Sequence, residues 1–221
     1  MSTFLLLHGA GSDSWYWHRV VPLLDGHDVV TPDLPVTDER CGFEEYADGA
    51  AAAVGAREDV VVVAQSIAGY VAPLLVDRLP VREIRLVAAM TPKPGESAGE
   101  WWETSGQTTA RREAELAAGR DPDADVDPFV TFLHDVPAEI AEAGGPHVFP
   151  QASRPFQDPW PLAAWPGVPT RFLLCTQDRL FPAGWQRRLV RERLGITPEE
   201  IDSGHLPALA RPAELAAWLL C

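Results

Sequence analysis

Three side chains in this sequence are of types that together can perform nucleophilic catalysis: Ser66, Asp178 and His205. Ser66 stands in Ala64-Gln65-Ser66-Ile67-Ala68-Gly69, directly after the apolar run Val60-Val61-Val62-Val63 and before a helical pattern. A hydroxyl on a sharp strand-to-helix turn is held exposed for attack on a carbonyl. Such a turn is strained, so the residues two positions away on each side must be small. The usual pattern is Gly-x-Ser-x-Gly; here Ala64 and Ala68 occupy the glycine positions, and alanine is the next smallest residue. By itself this motif is degenerate.

Corroboration comes from three other places. Asp178, in Thr176-Gln177-Asp178-Arg179-Leu180-Phe181-Pro182, lies just past the apolar run ending at Cys175, where an acid can orient a histidine. The alternative is an exposed loop aspartate paired with Arg179. His205, in Ser203-Gly204-His205-Leu206-Pro207, can take a proton from Ser66 and return it to a leaving group, or it is an ordinary loop residue. His8-Gly9-Ala10-Gly11 ends the first apolar run, and its glycines permit a close approach. Acyl transfer needs two backbone N–H donors aimed at the developing oxyanion, and Ala10 and Ile67 are the candidates. His8, His18, His27 and His147 lack comparable placement, while His134 is a candidate pocket residue.

The elements that must position these groups alternate short apolar runs with helical patterns, the rhythm of a parallel sheet covered on both faces. The runs predict strands over 3–7, 28–31, 60–64, 84–89, 170–175 and 200–202. Helical spacing is read from Trp17 through Val20, Val21 and Leu24, and over 43–54, 67–79, 183–194 and 207–220. Ser66, Asp178, His205 and the His8 loop all fall at strand ends on one edge of that sheet, in the chain order Ser, Asp, His. The stretch from about 91 to 166 breaks the rhythm. It is rich in proline and aromatic residues, and it reads as a small helical cap inserted into a single 1–221 domain. From it and its edge, Trp102, Phe132, His134 and Trp160 are the candidate substrate-pocket residues.

Composition narrows the field further. A net charge of −14 excludes a nucleic-acid binder, because phosphate neutralisation needs clustered basic residues. No stretch approaches the length of apolar residues that spans a membrane, so no membrane partner is expected. Cys41, Cys175 and Cys221 are few, scattered and odd in number, which suits unpaired thiols in a reducing cytoplasm and offers no metal spacing. No cofactor is expected. Oligomeric state is not legible.

The sequence resembles the small α/β-hydrolases that include plant methylesterases, hydroxynitrile lyases and their bacterial relatives. The resembling segments are Leu7 to Gly11 with Trp15 to Leu24, Thr31-Pro32-Asp33-Leu34-Pro35, Gln65 to Gly69, Pro92 to Ser97 and Gly204 to Pro207. The resemblance implies an α/β-hydrolase fold with about six mostly parallel strands, helices on both faces, a Ser66–Asp178–His205 triad and an Ala10/Ile67 oxyanion hole. The lyases of that family carry threonine in the Gly9 position and lysine directly after the histidine, where this chain has Leu206; neither Gly9 nor Leu206 can hydrogen-bond a departing cyanide. The expectation is therefore a hydrolase of small carboxylic esters, with an apolar or aromatic acyl group suggested by the aromatic cap. Its rivals are a non-hydrolytic lyase or cyclase on the same scaffold, and a ligand-binding protein that has lost turnover.

Overall fold

The computed structural model describes residues 2–221. Six strands form one fully parallel sheet: β1 (Thr3–Leu7), β2 (Asp28–Val30), β3 (Val60–Gln65), β4 (Val81–Val87), β5 (Thr170–Cys175) and β6 (Glu199–Ile201). Their spatial order is β2-β1-β3-β4-β5-β6, so β3 and β4 are the central pair and the Ser66 strand lies inside the sheet. The pattern of runs and helical spacing predicted such a covered parallel sheet, and six strands are the number that the resemblance implied.

Side chains alternate across the pleat, and the core divides accordingly. Leu5, Leu7, Val60, Val62, Ala64, Ile84, Leu86, Phe172 and Leu174 bury one face against α1 (Phe43–Val54) and α6 (Ala183–Leu194). Phe4, Leu6, Val61, Val63, Val87, Leu173 and Cys175 bury the other against Trp17, Val20, Leu24 and α8 (Pro212–Leu220), the last preceded by the short α7 (Pro207–Ala210). Both faces being covered explains why β3 is apolar from Val60 to Ala64.

Three helical expectations are corrected. The stretch 67–79 is not one α-helix but two 3₁₀ turns, Ser66–Tyr70 and Ala72–Leu75. Pro73 has no N–H for an i→i−4 bond, and Gly69 is drawn against β4's continuation: a Cβ there would lie 2.0 Å from the Met90 carbonyl oxygen. The Trp17–Leu24 pattern likewise folds as 3₁₀ turns Ser14–Trp17 and Val21–Leu23, with Pro22 inside the second. The closing helix splits at Arg211, the residue before Pro212, where helical dihedrals are disfavoured.

Between β4 and β5 the chain runs through α2 (Ala98–Thr104), α3 (Gln107–Ala117), α4 (Pro128–Thr131) and α5 (Ala138–Ala143). Its entry is pinned. Ser97 caps α2 by accepting from the Glu100 N–H at 3.1 Å, and the Glu100 carboxylate accepts from the Ser97 N–H at 3.0 Å. The buried Glu96 carboxylate pairs with the buried Arg193 guanidinium of α6 (2.9 Å), and Trp101 fills the main core.

Candidate active site

Ser66 follows β3 with φ 55°, one of three non-glycine residues in the left-handed region among the described residues. For a residue with a Cβ that conformation is strained, and it turns the hydroxyl out of the sheet edge. The surroundings hold it there. The Ser66 carbonyl accepts from the Met90 N–H at 2.9 Å, and Ala64 and Ala68 are fully buried around the turn.

His205 and Asp178 converge on this serine. His205 Nε2 lies 3.1 Å from Ser66 Oγ, and its Nδ1 lies 2.7 Å from Asp178 Oδ2. Asp178 Oδ1 accepts from the N–H groups of Leu180 and Phe181, both at 2.8 Å. Both carboxylate oxygens therefore act as acceptors, which makes Nδ1 the donor and leaves Nε2 free to accept the serine proton. Asp178 and His205 are 5% and 3% exposed and Ser66 is 9% exposed, so the relay sits in a low-dielectric setting. Asp178 is thus not a surface partner of Arg179, whose Nη1 instead donates to the Val130 carbonyl at 2.9 Å.

The candidate oxyanion donors lie in the two segments that follow β1 and β3. Ile67 is second in the 3₁₀ turn that opens at Ser66, where N–H groups have no partner within the turn. Ala10 lies in the loop after β1, and its neighbours are tied down: the Gly11 N–H donates to Gln151 Oε1 (3.1 Å) and the Gly11 carbonyl accepts from the Phe149 N–H (2.8 Å). Gly9 has no room for a side chain, since a Cβ would meet Gln65 Oε1 at 2.2 Å and Ser66 Cβ at 3.1 Å.

Three contributors escaped the sequence reading. His8 is fully buried; its Nε2 accepts from the Leu34 N–H at 3.0 Å, so Nδ1 donates to the Gly9 carbonyl at 2.9 Å. Burial pushes its pKa down, keeping the ring neutral in the form those two bonds require. Gln65 Nε2 donates to the His205 carbonyl at 3.1 Å, and Asp135 accepts from the Gly204 N–H at 2.7 Å. His8 stands in the His-Gly motif, which is read for its glycines and Ala10 rather than for the histidine; Gln65 and Asp135 carry no local signal.

The four candidate pocket residues are dispersed. Phe132 lies near His205, ring centroids 5.7 Å apart, beside Phe181, which meets the imidazole edge-on at 5.0 Å. His134 Nε2 is buried without a partner next to Gly204. Trp102 lines a cleft of about 270 Å³ with Leu180 and Val126, and Ser66 is not among that cleft's walls. Trp160 is packed in the main core, donating from Nε1 to the Tyr70 carbonyl at 3.1 Å.

A parallel six-stranded sheet with a serine at positive φ between β3 and a helical turn agrees with what sequence comparison finds. The profile described as "Alpha/beta hydrolase family" matches residues 4–218. The chain belongs to that family. Among curated relatives, methylesterase 3 of Arabidopsis thaliana is 24% identical over 252 residues, covering 98% of this chain and 94% of that protein. Norfluorocurarine synthase 1 of Strychnos nux-vomica is 22% identical over 247 residues, covering 98% and 93% respectively. Among solved structures, polyneuridine aldehyde esterase superposes with a TM-score of 0.79 at 21% identity, covering 100% of this chain and 98% of its own. The methylesterase-like resemblance read from the motifs therefore holds for this α/β-hydrolase. Among the described residues no helix is long and apolar enough to cross a membrane, and no three His, Cys, Asp or Glu side chains are grouped to hold a metal ion.

Proposed function

We propose that this α/β-hydrolase cleaves small carboxylic esters through an acyl-enzyme on Ser66. The observation that carries the reading is the unbroken relay from Asp178 through His205 to Ser66, ending on a serine held at φ 55°. His205 Nε2 accepts the serine proton as Oγ attacks the ester carbonyl, and Asp178 stabilises the imidazolium that forms. The Ala10 and Ile67 N–H groups receive the oxyanion, each donor contributing about 10²–10³ in kcat. His205 then protonates the departing alkoxide, and a water activated by the same nitrogen releases the acid. No metal or cofactor enters any step.

The segment from about 91 to 166 acts as a cap over Ser66, its Phe132 and the β5–α6 loop's Phe181 presenting aromatic surface beside the imidazole. Near-complete burial of Ser66 favours a small substrate, and the ring surface favours an apolar or aromatic acyl group. Esterase activity is also in the names of methylesterase 3 and polyneuridine aldehyde esterase. Cys41, Cys175 and Cys221 are all free, which supports a cytoplasmic enzyme.

The test is hydrolysis of a panel of p-nitrophenyl and methyl esters by the wild type and Ser66→Ala, with fluorophosphonate labelling alongside. Turnover and labelling both vanish in the variant if Ser66 is the nucleophile; unchanged ester hydrolysis by Ser66→Ala refutes it. A second reading, a non-hydrolytic lyase or cyclase on the same framework, is favoured by the full-length similarity to norfluorocurarine synthase 1. Labelling of Ser66 with no ester turned over across the panel selects that reading.

A further inference from the structure

The turn between α4 and α5 reaches back to the loop that carries His205. Asp135 Oδ2 accepts from the Gly204 N–H at 2.7 Å and from the buried Ser203 hydroxyl at 3.2 Å. The fit leaves no slack: a Cβ on Gly204 would lie 2.5 Å from Asp135 Oδ1 and 2.9 Å from His134 Nε2. The neighbouring Val136 is buried in the core cluster that also contains Ala208 and Leu209, so the turn is seated in the body of the protein. On the other side, Gln65 holds the His205 carbonyl from the end of β3. The same helical segment also grips the Asp178 loop, because the α4 carbonyl of Val130 accepts from Arg179.

We propose that Asp135 is a positioning residue for His205: its carboxylate latches the 128–143 segment onto Ser203 and Gly204 and so sets the imidazole within reach of Ser66. The inference rests on the assignment of His205 as the base. Its physical basis is the short lever from latch to ring. Gly204 immediately precedes His205, and Nε2 already lies 3.1 Å from Oγ, so a shift of the loop by an ångström takes the base out of range. Loss of the carboxylate also leaves the Gly204 N–H and Ser203 hydroxyl buried without an acceptor, which favours rearrangement of that loop over a simple vacancy. Asp135 touches neither substrate nor the reacting atoms. Its contribution is exerted through His205 alone.

The discriminating measurement is p-nitrophenyl butyrate turnover by Asp135→Ala, Asp135→Asn and Ser66→Ala, each checked for folding by circular dichroism. Asp135→Ala is expected to lower kcat by about 10–100-fold with KM within about twofold, the split produced by a misplaced catalytic group rather than a damaged binding site. Asp135→Asn retains an acceptor for the Gly204 N–H and is expected to stay within about threefold of wild-type kcat, as a hydrogen-bonding latch requires. Folded Asp135→Ala with wild-type kcat, or Asp135→Asn as impaired as Asp135→Ala, overturns the latch while Ser66→Ala remains dead. Should Asp135→Ala not fold, Ser203→Ala removes only the longer bond; a kcat lowered by about threefold at constant KM supports the latch, and no change overturns it. Undiminished turnover by Ser66→Ala removes the base assignment and the latch together.

Discussion

Replacing Asp178 by asparagine changes one heavy atom and, on the geometry of the hydrogen bonds, should disable the proposed base His205 without moving it. Asp178 Oδ1 receives two backbone N–H groups at 2.8 Å, from Leu180 and Phe181, while Oδ2 receives only the His205 Nδ1 proton at 2.7 Å. An asparagine can place its oxygen at one of these positions. Setting the NH₂ group against the two backbone donors leaves two buried N–H groups unpaired, at about 1–3 kcal/mol each. The oxygen therefore stays with Leu180 and Phe181, and the NH₂ faces Nδ1. Nδ1 must then become an acceptor, which moves the ring proton to Nε2, 3.1 Å from Ser66 Oγ. A protonated Nε2 cannot take the serine proton. The equivalent tautomer change in a Ser-His-Asp triad lowers kcat by about 10⁴, or about 5.4 kcal/mol of transition-state stabilisation at 1.36 kcal/mol per decade. The assay is steady-state hydrolysis of p-nitrophenyl butyrate near neutral pH, with melting midpoints recorded in parallel. The variant should melt close to the wild type, since the side chain keeps its shape. A folded Asp178→Asn enzyme that loses less than about tenfold in kcat would refute the tautomer reasoning.

Two further outcomes are expected. Gly9→Ala puts a methyl group where Gln65 Oε1 stands at 2.2 Å, so Gln65 must leave and release the His205 carbonyl; kcat should fall by about 10²-fold, and an unchanged kcat counts against the close packing of the loop after β1. His8 is buried in its neutral form with a lowered pKa, so the folded state binds fewer protons than the unfolded chain below the ordinary value of 6.5. Its contribution to stability is complete above that pH and declines as pH falls through the window beneath it. Melting midpoints measured from neutral to mildly acid pH should drop in the wild type and drop less in His8→Gln; parallel curves contradict the assignment.

Much of the framework was legible from local pattern. The β-branched run Val60–Val63 reads as a strand covered on both faces, which it is, and the small residues around Ser66 permitted a turn that the structure forms with φ 55°. Where reading failed, proline and close packing were responsible. Helical spacing over 67–79 was real, yet Pro73 removes a donor and the approach of Gly69 to Met90 tightens the backbone into 3₁₀ turns. Trp160 carried the aromatic composition of a pocket residue, but its indole N–H is paired to the Tyr70 carbonyl inside the core.

The sequence alone determined the order of elements, the parallel sheet and the chemistry available at three strand ends, because these depend on side-chain period and residue type within a few neighbouring positions. Which groups meet was decided only by tertiary structure. The bond between His205 and Ser66 joins residues 139 apart in the chain, and the bonds of Gln65 to His205 and Asp135 to Gly204 join residues 140 and 69 apart. Such contacts leave no periodic trace. The Ser66–His205–Asp178 contacts exist because β3, β5 and β6 of one parallel sheet deliver their carboxyl ends to one edge, where a serine, an aspartate and a histidine from distant segments come within hydrogen-bonding distance.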